Sequence, residues 1–182
     1  MPPMSLYRRV FDIIRHFVIS ASLAASLWAT SAATAEKNWT PPGYRIHGQI
    51  LSDESMSANP DPLSIALHGV PPDLTGVYTM FAGSFPERIG NADDPDDIDV
   101  IRKGITIVDP RWNRVNDSTP KFVVLSPMRN TVGENIGLVV CAFKVAERAN
   151  RHERRLFNRA LKLRDALARR IPSYAALFAE AK

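Results

Sequence analysis

The sequence predicts an α+β domain: one five-stranded sheet with an N-terminal helix, a short middle helix and a long C-terminal amphipathic helix. Three observations carry this expectation. Five runs rich in Val, Ile, Leu and Phe lie between residues 63 and 145, separated by turns rich in Pro, Gly and Asp. Leu156, Ala160, Leu163 and Leu167 then form one continuous helical stripe. Between the second and third runs, Asp94-Pro95 and Gly104 bracket a segment with the chemistry of a helix start and stop.

The N-terminus reads differently from the rest. Arg8, Arg9 and Arg15 face a single Asp12, and an apolar stretch runs from Phe17 to Ala35, ending in Ala33-Thr34-Ala35. A basic start, an apolar middle and a small-x-small end are the pattern of a cleavable secretory signal peptide. Residues 1–35 are therefore expected to be removed after Ala35, leaving a periplasmic or secreted chain. The competing reading is an uncleaved anchor helix, because the stretch is about long enough to cross a bilayer. Its Ser and Thr content and the cleavage motif favour removal, so no stable membrane anchor is expected afterwards. Arg8-Arg9-Val10-Phe11 partly fits a twin-arginine signal, with Asp12 where an apolar residue is usual. General-secretory and twin-arginine export both stay open.

Cleavage leaves 147 residues, the length of one ordinary domain. Cys141 is the one cysteine, so no intramolecular disulfide can form. It sits in the apolar run from Gly137 to Phe143, the setting of a buried inert thiol. Charge is segregated. Residues 36–146 hold 10 Lys/Arg and 14 Asp/Glu, whereas residues 147–170 hold 9 and 3. Export argues against nucleic acid as the partner of that basic segment. Anionic lipid, an acidic protein or the acidic face of its own domain fits better.

Taken in order, residues 36–43 carry Pro41-Pro42-Gly43 and read as a linker, and residues 44–182 as the domain. Tyr44 to Asn59 is weakly helical, with Ile46, Ile50 and Leu51 on one face. Leu63 to Val70 alternates as a strand, with His68 pointing opposite to Leu67. Pro71-Pro72-Asp73 and Gly76 turn the chain into a second strand, Val77 to Ser84, and a loop follows to Asp93. The acidic run Asp93 to Asp99 lacks the ligand spacing of a calcium loop. It fits a helix start better: Asp94 as N-cap, Pro95 in the first turn, Asp96 and Asp97 at the positive end of the dipole. Ile98 and Ile101 are expected to face the core, and Gly104 to end the helix. Ile105 to Val108 is a short strand and residues 111–120, with Trp112 and Pro120, a loop. Lys121 to Met128 and Ile136 to Val145 are strands about a turn at residues 131–135. Phe122 and Val124 lie opposite Val123 and Leu125, and Leu138 and Val140 opposite Val139 and Cys141. Both sheet faces must then be covered. Asn150 and Glu153 fit a capping box at the start of the long helix. Ile171-Pro172 ends or kinks it, and Ser173 to Lys182 reads as a short last helix.

No catalytic constellation emerges, and the chain is expected not to be an enzyme. Leu67-His68-Gly69 lacks the G-x-S-x-G elbow that a hydrolase would need. His47, His68 and His152 have no metal-ligand spacing, and no cofactor or metal motif is present. Four residues remain as candidates for a ligand site: His68 on the first strand, Tyr78 and Ser84 sharing one face of the second strand, and Arg88 just beyond it, which could neutralise a carboxylate.

The segment from Leu125 through Pro127, Gly133 and Gly137 to Val140 resembles the last hairpin of PAS-like and Cache-like sensor domains. There a strand ends in Pro, a turn carries Gly, and the final strand opens with Ile/Val-Gly. His68 before Pro71-Pro72, and the stretch Arg164 to Ser173, also resemble a group of small exported bacterial proteins of that build. The resemblance covers about residues 44–182. It implies an antiparallel five-stranded sheet with helices on one face and a ligand pocket on the other. The expected role is a non-catalytic, sensor-like binding module for a small organic anion, presenting its state to a protein partner or a second copy. The alternative is an envelope interaction protein that docks through its basic C-terminal helix.

Overall fold

The computed structural model describes residues 37–114, 120–145 and 152–181. They belong to one compact unit, Glu36–Lys182. The elements are α1 (His47–Ala58), β1 (Pro62–Gly69), β2 (Thr79–Gly83), a 3₁₀ turn (Pro86–Arg88), α2 (Pro95–Lys103), β3 (Ile107–Val108), α3 (Arg111–Arg114), β4 (Lys121–Arg129), β5 (Asn135–Lys144), α4 (Glu153–Ala168) and a last 3₁₀ helix (Ala175–Phe178). The five strands form one antiparallel sheet in the order β2-β1-β5-β4-β3. No helix among the described residues is long and apolar enough to cross a membrane.

Period-two alternation sorts the strand residues onto two faces. One face is crowded with large side chains: Ile65, Leu67, Phe81, Phe122, Val139 and Phe143, all 1% exposed or less. Onto it pack Leu51 of α1 and the expected stripe of α4, Leu156, Ala160, Leu163 and Leu167. Each fully buried Leu or Phe contributes about 1.5–3 kcal/mol. Phe81, Tyr174 and Phe178 close the layer, with ring centroids 4.7 Å apart for Phe81–Phe178 and 5.3 Å for Tyr174–Phe178.

The opposite face is made of smaller groups. Ala66 stands opposite Val140 across β1 and β5, and Ala142 opposite Val123 across β5 and β4. Helix α2 covers β4 and β5 with Val100 and Ile101. It begins as the sequence implies, with Asp94 and Asp97 in a capping box and the Asp94 N–H donating to Asp97 Oδ2 at 3.2 Å. It ends on Gly104, whose φ of +65° lies in the left-handed region that glycine adopts without strain.

Several boundaries differ from expectation. Helix α1 starts at His47, because Ile46 pairs with Glu180 instead. Tyr78 and Ser84 flank β2 without belonging to it. The buried positions of α2 are Asp96, Asp97 and Val100, while Ile98 is only half-buried. Arg111–Arg114 is a helical turn within the segment read as loop. Asn150, the expected cap of the long helix, lies outside the described residues; α4 begins at Glu153 after His152 in a left-handed conformation. The expected last helix is a 3₁₀ turn. Residues 37–39, read as linker, lie against the domain: Asn38 N–H donates to Gly90 O at 2.7 Å, and Trp39 packs edge-on to Phe178. Residues 1–35, with the expected signal peptide, lie outside the described residues.

Candidate functional site

Small side chains on one sheet face leave space beneath the cover. α2 sits over β4 and β5, and a cavity of about 330 Å³ opens beside it. Ala66, Met80, Val123, Val140 and Ala142 form its apolar floor, while Phe85 and Trp112 stand on the walls. The turn Arg111–Arg114 is what carries Trp112 there. It is held by Asp96 of α2, which accepts from the Arg111 backbone N–H at 2.7 Å and from Arg111 Nε at 2.9 Å.

Three buried polar atoms of cavity-lining residues have no hydrogen-bond partner among the described residues: Trp112 Nε1, Asn91 Oδ1 and Asp97 Oδ1. Buried polar atoms are ordinarily satisfied. One donor and two acceptors above an apolar floor are the composition of a small-molecule site.

His68 enters from β1. Its ring Nδ1 lies 2.7 Å from Asp93 Oδ1, with the two side chains only 12% and 1% exposed. Burial works against a charged ring, but the Asp93 carboxylate, helped by Asp97 and Asp94, outweighs it and raises the His68 pKa. Asp97 is pushed up to about 6, chiefly by burial, with the His68 charge opposing and Asp93 adding to the rise. The second oxygen of Asp93, Oδ2, is also buried and has no partner among the described residues. His68, Asp93 and Asp97 bring one ligand-type atom each to within 4.8 Å of one another. On the far side of the Gly69 backbone, Tyr174 donates to Val70 O at 2.7 Å, and burial raises its phenol pKa.

Of the four residues singled out by sequence, His68 and Arg88 line the cavity. Arg88 is exposed, with its guanidinium 5.4 Å from the Phe85 ring centroid, so it stands at the mouth. Tyr78 turns away: its hydroxyl accepts from Arg102 Nε at 2.9 Å, and the Arg102 guanidinium stacks on its ring. Ser84 is spent on the backbone of β1, donating to Ile65 O and accepting from Ile65 N–H, both at 3.0 Å. Asp93, Asp97, Asn91 and Trp112 were not among the candidates. A faint signal existed for Asp97, which precedes Val100 and Ile101 by three and four residues and so shares their stripe.

No protein-family model matches the chain, and no curated protein matches it.

Proposed function

We propose that this chain is an exported, non-catalytic binding module of PAS/Cache-like build, which holds a small organic anion in the cavity over Ala66, Val123 and Val140. The observation that carries the reading is the cavity itself: about 330 Å³ on one face of the sheet, lined by Trp112 and Asn91, which each keep a buried polar atom without a partner among the described residues, and by the exposed Arg88. That volume sits at the small end of ligand pockets, which run from about 300 to 1,000 Å³. The antiparallel sheet, with α1 and α4 on one face and the cavity on the other, supports the PAS/Cache-like comparison. Arg88 would meet the anionic group, Trp112 Nε1 an acceptor and Asn91 Oδ1 a donor, over an apolar body that fills the floor.

The test is a thermal-shift screen of the purified protein against small carboxylates and phosphate esters, with EDTA present throughout. A ligand at about 100 times its Kd stabilises by about 2.7 kcal/mol, a shift of several degrees in a domain of this size. The shift should shrink in Arg88→Ala. A flat screen with folded protein counts against the reading.

A further inference from the structure

We propose that His68, Asp93 and Asp97 form a binding site for a divalent transition-metal ion of the zinc class, beside the cavity. The site stands on its own geometry and does not depend on the organic-ligand reading.

Position comes first. β1 delivers His68, the end of the loop before α2 delivers Asp93, and the first turn of α2 delivers Asp97. Their ligand-type atoms lie within 4.8 Å of one another. Tetrahedral ligands at about 2.1 Å from zinc stand roughly 3.4 Å apart. Closing the set around an ion therefore needs side-chain adjustment, not movement of the backbone.

Unmet bonding capacity comes second. The Asp93 side chain is 1% exposed and Asp97 is 5% exposed, yet Asp93 Oδ2 and Asp97 Oδ1 accept no hydrogen bond from the described residues. A buried carboxylate oxygen with neither donor nor cation is expensive. An ion held among the three residues would supply the cation that these carboxylates lack. The other oxygen of Asp97 is already fixed by the Asp94 N–H at 3.2 Å, the kind of outer contact that orients a ligating carboxylate.

The donor set then selects the metal. One imidazole nitrogen with two carboxylates suits zinc and its first-row neighbours. Calcium and magnesium prefer sites made of oxygen alone, at six or more positions. Three protein ligands leave a fourth position open. His68 and Asp97 both line the cavity, which offers the entry path to that position.

The experiment is equilibrium dialysis of the purified, tag-free protein against Zn2+, with bound metal counted by atomic emission. The expected result is one zinc per chain. His68→Gln and Asp97→Asn should each loosen it by more than about tenfold. The Asn side-chain oxygen can still accept the Asp94 N–H, so Asp97→Asn preserves the helix start and decides the matter if His68→Gln fails to fold. Asp53→Asn/Asp99→Asn, which alters exposed carboxylates, should bind like the parent. Co2+ loading should give visible absorption bands that change in His68→Gln. Absence of zinc from folded parent protein would overturn the proposal. So would equal affinity in Asp97→Asn, or displacement of Zn2+ by equimolar Ca2+.

Discussion

His68 Nδ1 and Asp93 Oδ1 meet at 2.7 Å across a separation of 25 residues, tying the end of β1 to the approach of α2. The contact holds the ring's pKa above its ordinary 6.5. A raised folded-state pKa stabilises fully below 6.5, and the stabilisation is lost as pH rises through the folded value. In EDTA, Asp93→Asn should therefore lower the His68 pKa in a histidine ring NMR titration. Its cost should be about 1.5–3 kcal/mol on the acid side and smaller in alkaline buffer. An unchanged His68 titration would refute this account of the pair.

Asp97 offers a second titration with its own sign. Its folded pKa of about 6 stands above the ordinary 3.8. The carboxyl contributes stability while protonated, below 3.8, and loses it as pH rises to about 6, where burial meets the charged form. Asp97→Asn stays neutral throughout. In EDTA, its melting temperature should gain on the parent between about pH 4 and pH 7, by the equivalent of roughly 2 kcal/mol. Parallel melting curves across that range would show that the buried charge carries no penalty.

Filling the cavity separates ligand binding from stability. Ala142 is 5% exposed and lies on the floor. Ala142→Leu would place its added carbons in open space. The expected change in the unliganded melting temperature is a few degrees at most, about 1 kcal/mol. Shifts caused by any cavity ligand should vanish. A variant that keeps the full ligand shift would place the binding site elsewhere.

Gly69 and Tyr174 make a cycle on the opposite face. A Cβ on Gly69 would stand 2.4 Å from the Tyr174 hydroxyl, which donates to Val70 O. Gly69→Ala should cost about 1–3 kcal/mol by displacing the phenol. Tyr174→Phe should cost about 1 kcal/mol through the lost bond. Denaturant melts of the double variant should show less than the sum, because one hydroxyl underlies both costs. Simple additivity would mean that the ring yields elsewhere.

What was legible in the sequence was local. The two-faced character of β4 and β5 follows from alternation, and the α2 cap from Asp94, Pro95 and Gly104 within one short window. The stripe of α4 reads directly from spacing. The candidate site was less legible because it is assembled across distance. Asp96 and Asp97 look like solvated first-turn acids until β1 brings His68, and α3 brings Arg111, against them. Metal spacing within one helix or loop could not flag ligands drawn from two separate segments. Tyr78 and Ser84 share a face on an ideal strand, but β2 stops inside both, so Arg102 and Ile65 take them instead. Trp112 looked like a loop residue because four residues are too few to show helical periodicity.

Cys141 lies in β5 at the centre of the sheet, fully buried, its thiol pushed up to about 12 by burial. It stays protonated and out of reach of oxidants while the sheet is closed. Since no other cysteine exists in the chain, a thiol-reactive dye has one target, uncovered only when the central strands part. Its labelling rate is thus a built-in clock for opening of the whole domain, and any molecule that grips the sheet should slow it.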